Sequence, residues 1–97
     1  MAVVELSIVP VGTGSTSISS YVKQAVSILK EKGLKYEVTP MGTVIEGDLE
    51  EVLEVCKQIH RSVLSSGVNR SITTIKIDDR KDKELTMESK VAAVEHD

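Results

Sequence analysis

Val4, Leu6 and Ile8 alternate with Glu5 and Ser7 along the stretch from Val3 to Val11. A period of two sorts aliphatic and polar residues onto opposite sides, so this run predicts a half-buried strand closed by Pro10 and Gly12. Gly12-Thr13-Gly14-Ser15-Thr16-Ser17 is a turn cluster, and from Ile18 the period changes. Ile18, Val22, Ala25 and Leu29 recur at helical spacing, with Val26 widening the stripe. Ser17 is the expected N-cap, Lys30 and Lys32 suit the C-terminal end of the dipole, and Gly33 supplies a left-handed stop. A first helix is expected from Ile18 to about Lys32.

Leu34–Thr39 and Thr43–Glu46 read as short strands around Pro40-Met41-Gly42. Proline presets its own φ and glycine tolerates a positive one, so the segment predicts a hairpin. After Gly47, Asp48 and Glu51 stand three apart as a capping box ahead of Leu49, Val52, Val55, Cys56, Ile59 and Val63. The acids of this second helix (Asp48, Glu50, Glu51, Glu54) come early and its bases (Lys57, Arg61) late, as the dipole favours. Ser65-Ser66-Gly67 ends it. Arg70 to Asp78 is a fourth strand with Thr73, Ile75 and Ile77 on one face. The mixed charges of Asp78–Glu84 read as a solvated turn, and Met87, Val91 and Val94 predict a short third helix over about 86–95.

The order β-α-β-β-α-β, then a helix, matches the split β-α-β arrangement of ferredoxin-like α+β domains. Right-handed crossovers place both main helices on one face of a four-stranded antiparallel sheet. The other face is left with Val3 and Val9 of the first strand and Ile72 of the fourth. Thr43 and Ile45 share a face of the third strand, opposite Val44. An uncovered β-branched face on so small a domain predicts self-association; the alternative is a monomer whose tail helix covers its own sheet.

Ninety-seven residues suit one domain spanning 1–97, and a chain this short buries only about 60–65% of its unfolded surface. The 14 Val and 8 Ile favour sheet, while the absence of Phe and Trp leaves only Tyr21 and Tyr36 for stacking. A net charge of −3 with no basic stripe argues against nucleic acid as the main partner. Cys56 is the only cysteine and reads as a small buried hydrophobe, so no intrachain disulfide or thiolate metal cluster is expected. Neither a signal-peptide pattern nor a membrane-length apolar run is present in the sequence, so a soluble, cytoplasmic protein is expected.

Candidate chemistry is sparse. The Gly12–Ser17 loop precedes a helix N-terminus, where free N–H groups hold anions, but it lacks both the P-loop ending and the dinucleotide spacing. A tight turn is the plainer reading; a polar ligand site lined by Ser15, Thr16, Ser17 and Ser20 is the other, since Ser17 and Ser20 share one side of the first helical turn. His60 reads as partly buried and structural, and His96 lies in the tail. Two histidines and one cysteine make a poor metal set. Glu46 ends a strand beside Gly47 and is equally a ligand-facing carboxylate or a solvated strand end.

The segment from Tyr36 to Gly47 (Y-E-V-T-P-M-G-T-V-I-E-G) resembles the signature of the small thiamine-binding proteins related to YkoF. Ile75-Lys76-Ile77-Asp78-Asp79-Arg80, followed by Lys90-Val91, resembles the same family's C-terminal pattern, as does the first strand leading through Gly12-x-Gly14 to Ser17 and Tyr21-Val22. The resemblance covers nearly the whole chain. It implies a ferredoxin-like fold in a homotetramer built as a dimer of dimers, binding thiamine or its hydroxymethylpyrimidine part, with no known reaction and no other cofactor. The family pattern falls on Met41, Gly42, Thr43 and Glu46 at the hairpin and on Ser17 and Ser20 at the helix start. On that basis Ser17, Ser20 and Thr43 are expected to hydrogen-bond an aminopyrimidine, Glu46 to meet its amino group or the thiazolium charge, and Tyr36 to offer a π-face. Besides a non-enzymatic binder, an oligomer whose assembly is its function and an enzyme acting on a small amine or nucleobase-like compound remain open.

Overall fold

The computed structural model describes residues 1–95; His96 and Asp97 lie outside it, and with them the expectation for His96. The elements run β1 (Ala2–Val11), α1 (Ser19–Lys32), β2 (Lys35–Thr39), β3 (Gly42–Gly47), α2 (Leu49–Ser65), β4 (Arg70–Asp78) and α3 (Met87–Glu95). The four strands form one antiparallel sheet in the order β2-β3-β1-β4. This is the ferredoxin-like α+β arrangement that the strand–helix order predicts.

Alternation fixes which side each strand residue takes. Val4 stands opposite Ile45 on β3 and Ile77 on β4, and Leu6 opposite Thr43 and Ile75. Ala2, Val4, Leu6 and Ile45 pack with Ala25 and Leu29 of α1 and with Val52, Val55, Cys56 and Ile59 of α2. Both long helices therefore lie on one side of the sheet. Each fully buried aliphatic side chain here contributes about 1.5–3 kcal/mol. Asp48 caps α2 by accepting the N–H of Glu51 at 3.2 Å, and Gly33 ends α1 at φ 69°.

The start of α1 differs from expectation. Ile18, not Ser17, is the N-cap residue, and no side chain caps the helix. The Ile18 carbonyl accepts the N–H groups of Tyr21 and Val22, while the Ser17 hydroxyl pairs with that of Ser19 at 3.3 Å. The hairpin is also closed differently. Its turn is Pro40-Met41, and the Thr39 hydroxyl holds it by donating to the Gly42 carbonyl at 2.8 Å and accepting the N–H groups of Met41 and Gly42. Gly42 has no positive φ. It is small because β1 runs close by: a Cβ there would meet the Leu6 carbonyl oxygen at 3.0 Å.

The second sheet face is half covered. Leu85 and Met87 pack on Val3 and Val44, so Val3 is buried rather than exposed as its alternation suggested. At the other end of that face Val9 and Ile72 stand opposite each other, 47% and 50% exposed. Of the expected α3 stripe only Met87 is buried, and Val91 and Val94 face outward. The helix docks by its first turn alone. No helix among the described residues is long and apolar enough to cross a membrane.

Candidate functional site

The pairing of β1 with β3 ends at Leu6–Thr43, whereas its pairing with β4 continues to Val11–Arg70. The β2–β3 hairpin therefore stops short of the end of β1, and the first turns of α1 lie across the gap. The result is a cleft of about 120 Å³. Leu6 and Ile8 of β1, Tyr21 and Ala25 of α1, and Met41 and Thr43 of the hairpin are among its walls. It is mostly aliphatic, with one aromatic ring. Thr43 is only 5% exposed and its side chain is part of the cleft wall.

Residues 4–95 match the family model described as thiamine-binding protein. The chain belongs to the thiamine-binding protein family. It is 49% identical over 92 residues to the UPF0045 protein MJ1052 of Methanocaldococcus jannaschii, an alignment covering 95% of this chain and 90% of that one. The UPF0045 protein of Methanothermobacter thermautotrophicus is 46% identical over 95 residues, covering 97% and 96%. The crystal structure of MJ1052 superposes with a TM-score of 0.89 at 48% identity, covering 96% of this chain and 94% of that one. A crystallised Thermotoga maritima protein, TM0486, proposed to act in thiamine biosynthesis or salvage, superposes at 0.78 with 28% identity, covering 95% and 96%.

Within this thiamine-binding family chain, the structure brings Met41 and Thr43 to one cleft and sends the other expected residues elsewhere. Ser17 and Ser20 are exposed and lie outside the cleft lining. Tyr36 shares the helix-side face with Thr43, but it sits opposite Ile45 and packs against the main core. Glu46 is on the opposite side of the sheet from Thr43, as strand alternation requires, so the two cannot meet one small ligand within a single chain. Its carboxylate accepts the Met87 N–H at 2.7 Å and lies 3.6 Å from the Lys35 ammonium, with its side chain 10% exposed. Glu46 is therefore not a solvated strand end; it fastens the start of α3.

Tyr21 is the residue that the site expectations omit. It was visible as one of only two aromatic residues, but its place in the cleft depends on where the helix begins. His60 Nδ1 lies 2.6 Å from the Thr73 hydroxyl and ties α2 to β4. Cys56 is fully buried, and loss of solvent pushes its thiol up to about 11, well away from a reactive thiolate. No cluster of metal-ligating side chains occurs among the described residues.

Proposed function

We propose that this chain binds thiamine or its hydroxymethylpyrimidine moiety without transforming it, as a cytoplasmic homotetramer arranged as a dimer of dimers. The observation that carries the reading is the small apolar cleft, with the 5%-exposed Thr43 in its wall to supply a hydroxyl, in a chain from the thiamine-binding family. An aminopyrimidine offers ring nitrogens to accept from that hydroxyl and an amino group to donate to it, and Tyr21 supplies a π-face beside it. The similarity to TM0486 supports the same ligand class. The cleft walls hold no carboxylate, imidazole or ammonium, which supports binding over acid–base catalysis.

At about 120 Å³ the cleft equals roughly four water volumes and suits one ring, well below the 300–1,000 Å³ of an enclosing ligand site. A second subunit closing over the opening would supply the missing wall, and the exposed Val9–Ile72 pair provides apolar surface for assembly. Calorimetric titration of the full chain with thiamine and with hydroxymethylpyrimidine tests the reading. Saturable heat is expected from at least one of them, with the ligand recovered unchanged by chromatography after hours. No heat at millimolar ligand leaves assembly as the protein's role, and a converted ligand makes it an enzyme.

A further inference from the structure

β4 forms one edge of the sheet, paired with β1 and, among the described residues, with no strand on its other side. An open edge offers alternate N–H and C=O groups to a further strand, and proteins blunt such edges with proline, bulges, brevity or inward-pointing charge. β4 has none of these. It runs nine residues from Arg70 to Asp78 without proline. Its register with β1 advances one residue at a time from Val11–Arg70 to Val3–Asp78, so no bulge interrupts it. The face toward the helices carries Ser71, Thr73, Ile75 and Ile77 and no charge. Ile75 and Ile77 remain 39% and 46% exposed although they face that side. Leu64 of α2, one turn beyond the His60 that meets Thr73, is 38% exposed. An apolar strip thus follows the open edge.

The strand is complementary to itself. Two antiparallel copies related by a two-fold axis through Thr74 overlap over the whole of β4. That register sets Arg70 against the partner's Asp78 at each end, Ile72 against the partner's Lys76 and Ile75 against the partner's Thr73. Opposite charges meet at both ends, and like charges stand opposite nowhere. The Asp78 carboxylate takes Lys90 on Oδ2, which leaves Oδ1 for the arriving guanidinium. β2, the opposite edge, differs: it has five residues, and full overlap would set Glu37 against the partner's Glu37. We infer that two copies of this chain join edge to edge through β4, merging their sheets into one continuous antiparallel sheet with Thr74 on the two-fold axis. Such an overlap makes about eight backbone hydrogen bonds. The inference deepens the assembly part of the proposed reading, on which it rests, and is separate from the ligand. It assigns one interface of a dimer of dimers and leaves the Val9–Ile72 face for the other.

Sedimentation velocity of the full chain over a dilution series, repeated on Thr74→Glu and Thr74→Lys, tests it. Thr74 is exposed, so either charge is solvated in a separate subunit and the melting temperature of that subunit should hold. Each variant alone sets like charges together on the axis and should weaken this contact at least about tenfold. Mixing T74E with T74K should restore it as a mixed pair. Thr74→Cys gives an independent measurement, because paired positions place their Cβ atoms about 4.5–5.5 Å apart, a small shift from disulfide geometry. T74C should oxidise to a covalent dimer and Glu37→Cys on β2 should not, while Cys56 is fully buried and takes no part. Variants that assemble as the unaltered chain does overturn the edge assignment and leave assembly through another surface standing. Dissociation of both variants without recovery on mixing, or a covalent dimer from E37C and none from T74C, overturns it too. If the unaltered chain is monomeric at every concentration, the assembly reading falls and this inference with it.

Discussion

Thr43 and Gly42 are neighbours whose side chains answer to different demands. Thr43 is 5% exposed in the cleft wall, and Thr43→Val keeps its volume while removing the hydroxyl. Valine has nearly the same shape and suits a buried site better. The substitution should leave the melting temperature unchanged or slightly raised, while weakening pyrimidine binding by about 0.5–1.5 kcal/mol, the net worth of one neutral hydrogen bond. Calorimetry beside a thermal melt reads both numbers, and unchanged affinity would remove Thr43 from the site. Gly42→Ala should do the opposite. Its added methyl would press on the Leu6 carbonyl oxygen at 3.0 Å and the Glu5 Cγ at 3.3 Å, parting β3 from β1. A loss of about 1–3 kcal/mol in urea unfolding is expected, as for other overpacked positions. That crowding is invisible in sequence, where a glycine after Pro-Met argues for turn chemistry instead. Tyr21 was missed for a related reason: whether a helix's first turn borders a cleft depends on how far the neighbouring hairpin extends.

Among the elements, α3 shows most clearly what periodicity can and cannot say. Met87, Val91 and Val94 fall at helical spacing and the helix is there, but its docking depends on Leu85, just outside it, and on Glu46 from β3. A carboxylate at the end of a strand gives no sequence sign that a helix N-terminus from 41 residues later will settle on it. Glu46→Ala should therefore free the α3 amides to exchange faster with solvent and cost about 0.5–2 kcal/mol, as loss of a helix cap does. Hydrogen exchange followed by mass spectrometry resolves this, with peptides from α2 as the unaffected control. Unaltered exchange in α3 would show that Leu85 and Met87 hold it unaided.

The ion pair between Lys35 and Glu88 adds a pH dependence whose sign follows from its two shifts. Its hydrogen bond to Lys35 holds the Glu88 carboxyl below its ordinary 4.5, so the pair's contribution is present above that pH and is lost as pH falls through the lowered value. The same bond raises Lys35 above 10.5, so at the alkaline end the contribution persists until pH climbs past the raised value. Protection of α3 should be level between about 5 and 10 and decline on the acid side. Because both groups face solvent the decline should be shallow, and salt should flatten it.

At the scale of the whole molecule, alternation, helical stripes and glycine stops were enough to read the succession of strands and helices and the placement of α1 and α2 on one sheet face, because each of these elements carries its burial pattern in its own residues. The open face was read correctly at Val9 and Ile72 and incorrectly at Val3. There the cover comes from Leu85 and Met87, beyond a charged segment that hides its apolar exit. This half-covered face separates two routes to assembly. If subunits meet through the bare half, Val9→Glu should break the assembly while each chain stays folded, since Val9 is already 47% exposed and its charge costs little in an isolated subunit. If they meet through the outward side of α3, where Val94 is 75% exposed, truncation after Glu84 should dissociate them instead, and by uncovering Val3 and Val44 it should also lower the melting temperature. The facing pair of β-branched residues on a rigid sheet favours the first route, because joining two such surfaces orders few flexible side chains. Sedimentation velocity on the unaltered chain and V9E decides it: a tetramer reduced to a smaller folded species by V9E is expected. A chain that sediments as a compact monomer before any substitution removes both the assembly and the second wall that the one-ring cleft requires.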